Sequence, residues 1–128
     1  MRSGQFVARP DTGRRAEELA AALLERAGLR IVARNWRRPE GEIDLVADDG
    51  GICVFVEVRS RTGDQRGDPL ESVTPRKRAR VIRSARLYLD SEPIQATGYR
   101  FDVVGVTFAA DGGEPILTHI VSAFDLTG

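Results

Sequence analysis

The chain has 128 residues and a formal net charge of zero at pH 7, from 19 basic and 19 acidic residues. This length predicts one compact domain over residues 1–128 that folds without disulfides or a structural metal. Its one cysteine, Cys53, excludes an internal disulfide and lies in an apolar run, so we expect a small core residue. No segment approaches the roughly 20 apolar residues of a membrane span, and the N-terminus contains no apolar signal sequence. We therefore expect a cytoplasmic protein without a membrane partner.

The charges are sorted along the chain. Residues 1–38 hold nine arginines and four acids, whereas residues 39–58 hold six acids and no base. Residues 59–90 hold nine bases and four acids, and residues 91–128 hold one base and five acids. This pattern favours an enzyme with central carboxylates for a cation and flanking arginines for a polyanion. Solvated charge on surface helices is the alternative, and it accounts for either basic block taken alone.

The first predicted element is an amphipathic helix over residues 13–27, with Gly28 as the residue that ends it. Its apolar side chains recur at helical spacing: Ala16, Leu19, Ala20, Leu23, Leu24 and Ala27. Glu17 falls at the edge of this apolar stripe. We therefore expect Glu17 to face a neighbouring sheet. Residues 29–36 follow as a strand.

An acidic β-hairpin is predicted over residues 40–59, because Asp48-Asp49-Gly50-Gly51 separates two apolar runs. Glycine supplies the positive φ that tight hairpin turns require. Symmetry about the two glycines gives one face two opposed pairs, Asp44 with Glu57 and Glu42 with Arg59. The other face is then an uninterrupted apolar surface, which fixes the register. That surface consists of Ile43, Leu45, Ala47, Val54, Val56 and Val58.

The facing carboxylates of Asp44 and Glu57 predict a metal site. Directly opposed residues have Cβ atoms only about 4.5–5.5 Å apart, where like charges are destabilising. A divalent cation between them removes the repulsion, and an oxygen-only ligand set suits Mg²⁺ or Mn²⁺. The alternative is that Arg59 and other arginines neutralise the pair, which makes this an ordinary polar sheet face. The spacing alone does not choose between the two interpretations.

The second half of the chain is predicted to begin with a loop over residues 60–72. A helix then starts with Thr74 as its N-cap and Pro75 at its first position, where the missing donor costs nothing. Its basic side consists of Arg76, Arg80 and Arg83, opposite an apolar side of Val81, Ile82, Ala85, Tyr88 and Leu89. Residues 99–108, placed centrally, and 115–121 are predicted strands.

Four further residues are expected to be structural. Trp36 and Phe101 are interpreted as buried strand aromatics, although both could stack on bases. His119 is interpreted as a structural side chain, and Asp102 as the partner of an arginine. We expect the ordered core to span about residues 12–121, with flexible ends.

Together these residues resemble the PD-(D/E)XK nuclease superfamily, whose restriction-endonuclease-like α/β fold has an αβββαβ core with a mixed sheet flanked by helices. The chain is similar to archaeal Holliday-junction resolvases and, more closely, to the bacterial YraN family of small proteins with a predicted nuclease fold. The resemblance covers about residues 12–108. The matching positions are Gly13-x-x-x-Glu17-x-x-Ala20, Asn35, Gly41-Glu42-Ile43-Asp44-Leu45, Val54-Phe55-Val56-Glu57-Val58-Arg59-x-Arg61, Lys77 and Arg100-Phe101-Asp102-Val103-Val104.

The resemblance implies catalytic roles for four residues. Asp44 and Glu57 correspond to the ligands of Mg²⁺ or Mn²⁺, and Glu17 supports the metal or its water. Arg59 stands where the superfamily usually has lysine. Arginine cannot act as a general base, although it can stabilise a negatively charged phosphate. The basic residues expected to contact the nucleic-acid backbone are Arg61, Arg66, Arg76, Lys77, Arg80 and Arg83.

The expected function is therefore metal-dependent endonuclease cleavage of DNA phosphodiester bonds, with structured or branched DNA as substrate. One alternative is a nuclease-fold module that binds DNA or RNA without efficient cleavage. Another is a scaffold protein whose acids are internally salt-bridged. The resolvase resemblance also implies a homodimer, because cutting two strands requires two sites.

Overall fold

The computed structural model describes residues 10–63 and 67–126 and has the α/β fold expected from the sequence. Its helices are α1 (Pro10–Arg26) and α2 (Pro75–Ser91), and a 3₁₀ turn covers Pro69–Ser72. Its strands are β1 (Arg30–Arg38), β2 (Gly41–Asp49), β3 (Ile52–Thr62), β4 (Gly98–Phe108) and β5 (Ile116–Phe124). This order contains the predicted αβββαβ core, and β5 continues beyond the predicted end at residue 121.

The five strands form one mixed sheet in the order β1-β2-β3-β4-β5. Neighbouring strands are antiparallel except β3 and β4, which run parallel. A parallel pair requires a crossover connection, and α2 supplies it by packing on the sheet. β4 is an interior strand, as predicted, and β1 and β5 are the edges.

Each helix packs against its own side of the sheet. The α1 cluster of buried side chains includes Ala20, Leu24, Leu45, Val56 and Val104. The α2 cluster includes Val46, Phe55, Val81, Tyr88 and Phe101, with Cys53 among its core residues as predicted. Within the described residues, neither helix is long and apolar enough to cross a membrane. The sheet is therefore the middle layer of three, and its ends are where polar side chains can collect.

Local signals placed the hairpin and α2 correctly. Residues Leu45 to Asp49 of β2 pair with Val56 to Ile52 of β3 in the register that the two glycines predicted. The φ values of Gly50 and Gly51 are 59° and 99°, a left-handed conformation that glycine adopts without strain. At the start of α2, the Thr74 side chain accepts a hydrogen bond from the backbone N–H of Lys77 at 3.3 Å.

The apolar face predicted for the hairpin is wrong at Ile43 and is confirmed at its other five residues, which lie in or against the α1 cluster: Leu45, Ala47, Val54, Val56 and Val58. Val46 and Phe55 alternate onto the acidic face, yet each is at most 1% exposed because α2 covers this face. Ile43 leaves the predicted apolar surface and joins the α2 cluster together with Trp36. Next to it, Asn35 has a φ of 49°, which interrupts the alternation of side chains along β1. The polar surface is therefore confined to the end of the hairpin around Asp44.

Candidate metal centre and its basic cleft

The predicted acidic pair lies where β2 and β3 separate. Regular backbone pairing between these strands ends at Leu45 and Val56. One residue further, Asp44 Oδ2 accepts a hydrogen bond from the backbone N–H of Val58 at 2.8 Å. The carboxyl groups of Asp44 and Glu57 are close enough for each to shift the pKa of the other, and both line the same cleft. The two acids therefore point into the same space, which is the geometry that a shared cation requires.

The surroundings of this pair disfavour the state in which both side chains are negatively charged. Burial raises the pKa of Asp44 well above its usual value, and the charge of Glu57 raises it further. Burial also raises the pKa of Glu57, against the opposing effect of Arg59. Burial and the mutual repulsion of the two side chains thus both disfavour the doubly ionised pair. A divalent cation between the two carboxylates would offset that repulsion.

Glu17 approaches the pair from α1. It is half-buried and lines the same cleft as Asp44 and Glu57. Its charge is one of the influences that raise the pKa of Asp44. Its predicted position facing the sheet is therefore confirmed, and it adds a third carboxylate to the negative potential at the centre.

Arg59 neutralises this centre only in part. Its Nη1 atom lies 3.8 Å from Glu57 Oε1, and its Nε atom donates to Ser72 Oγ at 3.0 Å. Arg59 lowers the pKa of Glu57, whereas burial and the charges of Glu57 and Glu17 raise the pKa of Asp44. The pKa of Asp44 is therefore raised with Arg59 in place.

The donor set fits Mg²⁺ or Mn²⁺ better than a softer metal. Within the described ranges, no group of three or more histidine, cysteine, aspartate or glutamate side chains is arranged to hold a metal ion. Magnesium is commonly held by one or two carboxylates, with waters and substrate phosphates completing its octahedron. Asp44 and Glu57 meet that requirement, and Glu57 remains reachable because its side chain is 20% exposed.

The acids line a cleft of about 1040 Å³ between α1, α2 and the β1–β2 turn. Its basic lining residues are Arg14, Arg37, Arg38, Arg59, Lys77, Arg80 and Arg83. Its acidic lining residues are Glu17, Glu40, Glu42, Asp44 and Glu57. Positive side chains thus outnumber negative ones, and the acid pair is surrounded by groups that attract an anion.

The basic residues that were predicted to contact a nucleic-acid backbone divide into three groups. Lys77, Arg80 and Arg83 line the cleft. Arg76 is exposed on α2 outside it, and Arg66 lies outside the described residues. Arg61 donates to Thr107 Oγ1 at 3.1 Å and to the Gly67 carbonyl at 3.3 Å, so its guanidinium is engaged by β4 and the following loop.

Three basic residues of the cleft were not predicted as site residues from the sequence: Arg14, Arg37 and Arg38. The positions of Arg37 and Arg38 could have been predicted, because the β1–β2 connection brings the chain back directly beside Asp44. Arg38 is additionally held by Glu92, at 3.1 Å, and lies 4.6 Å over the ring of Trp36. Trp36 itself is only 7% exposed and is a core aromatic, as expected.

A second buried acid, Asp102, lies in the middle of β4, where it pairs in register with Val56 of β3, and it is structural. Asp102 is fully buried, and Arg100 donates to both of its oxygens at 3.0 and 3.2 Å. His119 Nε2 lies 2.8 Å from Asp102 Oδ2, and the backbone N–H of Ser122 donates to Oδ1 at 3.0 Å. Burial by itself raises the pKa of Asp102, but these hydrogen bonds outweigh it and the pKa is lowered. The predicted arginine partner of Asp102 and structural role of His119 are thereby confirmed.

The family model and the similar proteins that match this chain name the same family. Residues 16–106 match the Uncharacterised protein family UPF0102. A UPF0102 protein of Pseudomonas aeruginosa is 49% identical over 116 residues, covering 90% of this chain and 93% of its own. UPF0102 proteins of Anaeromyxobacter dehalogenans and Nitratidesulfovibrio vulgaris are 47% and 44% identical, covering 98% and 94% of this chain and 92% and 88% of their own. The chain therefore belongs to the UPF0102 family.

Proposed function

We propose that this protein is an endonuclease dependent on Mg²⁺ or Mn²⁺ that hydrolyses DNA phosphodiester bonds. The observation that carries the proposal is the incompletely neutralised Asp44/Glu57 pair in a cleft with a surplus of basic side chains. Phosphodiester hydrolysis uses both features, since a cation must contact the reacting phosphate and positive groups must hold the flanking backbone. The resemblance to PD-(D/E)XK nucleases supports the same reaction.

The position of each acid suggests its part. Asp44 and Glu57 hold the cation, and Glu17 orients the attacking water from α1. A bound divalent cation supplies Lewis acidity at the phosphate and acidifies water for attack. Arg59, fixed beside Glu57, helps to offset negative charge at the centre. Lys77, Arg80 and Arg83 attract the DNA backbone, which gives salt-sensitive affinity with little sequence preference.

Structured or branched DNA is the proposed substrate class because of the resemblance to Holliday-junction resolvases. The same resemblance suggests a homodimer, in which two copies of the centre cut two strands. Both points extend the proposal beyond the single cleft.

A nucleic-acid-binding module without efficient cleavage is the second candidate, and Arg59 is the observation that favours it. A guanidinium stays protonated at any physiological pH and cannot take a proton from water. Arg59 is also held by Ser72 and is only 11% exposed, so it is poorly placed to replace a mobile lysine. The same basic cleft then binds DNA or RNA without cutting it.

The test is cleavage of branched and linear DNA with and without Mg²⁺ or Mn²⁺, comparing wild type with D44N, E57Q and E25Q. D44N and E57Q remove one charge each while keeping side-chain size, and E25Q does the same at an exposed position of α1. We expect cation-dependent cuts that fall by about 1000-fold in D44N and E57Q and are unchanged in E25Q. The matched control guards against a contaminating nuclease.

The other outcomes separate the candidates. Mobility shifts without cuts in any variant identify the binding module. An absence of both shifts and cuts at low salt contradicts both nucleic-acid functions. Cuts that persist in D44N and E57Q exclude this cleft as their source.

A further inference from the structure

The chain uses arginine at 18 of its 19 basic positions, and its single lysine, Lys77, lines the acidic cleft. The two side chains differ chemically. Lysine carries a compact ammonium on a flexible stem, whereas arginine carries a broad planar fork. A small, adjustable donor suits a phosphate that changes geometry during a reaction. The position of the single lysine therefore points to a task that the neighbouring arginines do not perform.

Stability of α2 does not account for a lysine at this position. The first turn of α2 contains Arg76, Lys77 and Arg78 and no acid. Positive charge at a helix N-terminus is unfavourable, because the helix dipole is already positive there. Arg78 turns inward, where its Nε atom donates to the Val73 carbonyl at 3.0 Å. Lys77 faces the cleft instead, where an entering anion offsets the charge of the helix end.

Ser72 holds Lys77 and Arg59 side by side. Lys77 Nζ donates to the Ser72 carbonyl at 3.2 Å, and Arg59 Nε donates to Ser72 Oγ at 3.0 Å. The Lys77 hydrogen bond occupies one of the three donors of an ammonium. Burial and the charge of Arg59 lower the pKa of Lys77, while the charge of Glu57 opposes them. Lys77 is thus held next to a second cation, at the edge of the acid pair.

The support for this arrangement comes from β4. Ser72 ends the 3₁₀ turn that begins at Pro69, and the Pro69 ring rests on Gly105. A Cβ atom at Gly105 would overlap that ring, so only glycine lets the turn approach the sheet this closely. The turn is therefore a fixed platform that sets the position of the Lys77 ammonium.

We propose that Lys77, and not Arg59, donates to a non-bridging oxygen of the scissile phosphate, with Arg59 as a positioning residue. This inference rests on the proposed function and assigns Lys77 to the reacting phosphate instead of the flanking backbone. In the reaction, the water oxygen forms a bond to phosphorus and the bond from phosphorus to the leaving sugar oxygen breaks. The proton lost by water passes to solvent, and a solvent proton ends on the leaving oxygen. Lys77 keeps its proton throughout and stabilises the charge on phosphate.

The kinetic test compares K77M and K77R with R86M, which removes one positive charge from an exposed position of the same helix. With branched DNA and Mg²⁺, we expect K77M to lower kcat about 100-fold with a change in KM of less than about threefold. K77R is expected to recover about tenfold of that loss, because charge returns without the compact geometry. R86M should match wild type. A K77M variant that raises KM and leaves kcat unchanged overturns the inference while the proposed nuclease stands.

A second readout does not depend on cleavage. Reductive methylation with ¹³C-formaldehyde keeps the charge and labels Lys77 as the only lysine, and the signal missing from K77R assigns it in the NMR spectrum. We expect paramagnetic Mn²⁺ to broaden this signal in wild type and to leave it sharp in D44N. If DNA binds without being cut, a shift of the Lys77 signal on adding DNA supports the contact, and an unmoved signal overturns it. If wild type neither binds nor cuts DNA, the proposed function falls and the inference falls with it.

Discussion

Two buried or partly buried acidic sites in the described part of the chain, Asp102 and the Asp44/Glu57 pair, have opposite electrostatics. At Asp102, every partner is a donor: Arg100, His119 and the N–H of Ser122. At Asp44, burial and the negative charge of Glu57 raise the pKa well above its usual value, whereas the pKa of Asp102 is lowered. Burial alone therefore does not distinguish the two clusters, because it raises the pKa at both.

Under the proposed function, the difference separates a structural acid from a functional one. Asp102 is paired with donors inside the fold, so it stabilises β4 and β5. The raised pKa values of Asp44 and Glu57 indicate a cost of ionisation that the proposed cation would reduce. The predictions below test whether the two clusters respond to mutation, metal and pH in opposite directions.

The largest effect is expected at Asp102. The D102N variant leaves Arg100 and His119 without the charge that holds them in a buried position, so we expect the free energy of unfolding to fall by about 3–5 kcal/mol. Urea denaturation followed by circular dichroism measures this loss. D90N, at an exposed position of α2, is the matched control and should change stability by less than about 0.5 kcal/mol. If D102N does not fold, H119Q removes one partner only and should retain a measurable transition.

Metal binding gives the next largest effect, and only at the Asp44/Glu57 centre. Ligand that binds only the folded state raises stability, by about 2.7 kcal/mol at 100 times its Kd. We expect Mg²⁺ at that level to raise the midpoint of thermal unfolding in wild type and in E25Q. D44N should show no rise. An equal rise in D44N would place the stabilising ion elsewhere.

Without metal, D44N should be more stable than wild type. Asparagine keeps an acceptor for the Val58 N–H and replaces a repelled carboxylate with a donor to Glu57. Because the folded-state pKa of Asp44 is raised, wild-type stability falls as the pH rises above the unfolded value of about 4. We expect D44N to gain about 1 kcal/mol at pH 8 and almost nothing at pH 4. Chemical denaturation in EDTA across this range measures the difference.

The pH dependence at Asp102 has the opposite sign. Its folded-state pKa is lowered, so its contribution is complete above about pH 4 and is lost as the pH falls through the lower folded-state value. The same denaturation series should therefore show that the destabilisation of D102N shrinks below pH 4. Slopes of the same sign at the two clusters would remove the contrast between them.

The smallest effect is expected at a surface ion pair, which calibrates the other four. Arg30 Nη2 lies 3.8 Å from Asp48 Oδ2, and the Arg30 side chain is 73% exposed. Exposed ion pairs contribute about 0–1 kcal/mol. R30A should therefore change the free energy of unfolding by less than about 0.5 kcal/mol, which urea denaturation resolves from the larger losses.

The elements that sequence predicted well are those governed by local signals. The two-residue glycine turn set the β2–β3 register, and Thr74-Pro75 set the start of α2. Both depend on backbone preferences within a few residues. The same register placed Asp44 beside Glu57, so the acid pair at the heart of the site followed from the chain alone.

Tertiary structure decided how those acids are surrounded. Sequence could not tell that α2 would cover the acidic face at Val46 and Phe55, because the alternation of a strand does not say which of its faces a distant crossover helix will occupy. It also could not tell that Arg61 would turn to Thr107 while Arg59 met Ser72, since these partners are separated along the chain. Local periodicity determined the acid pair and its register. The packing of α1, α2 and the 3₁₀ turn around the end of the sheet determined which basic side chains lie near the acid pair. Those contacts form only when distant segments of the chain meet.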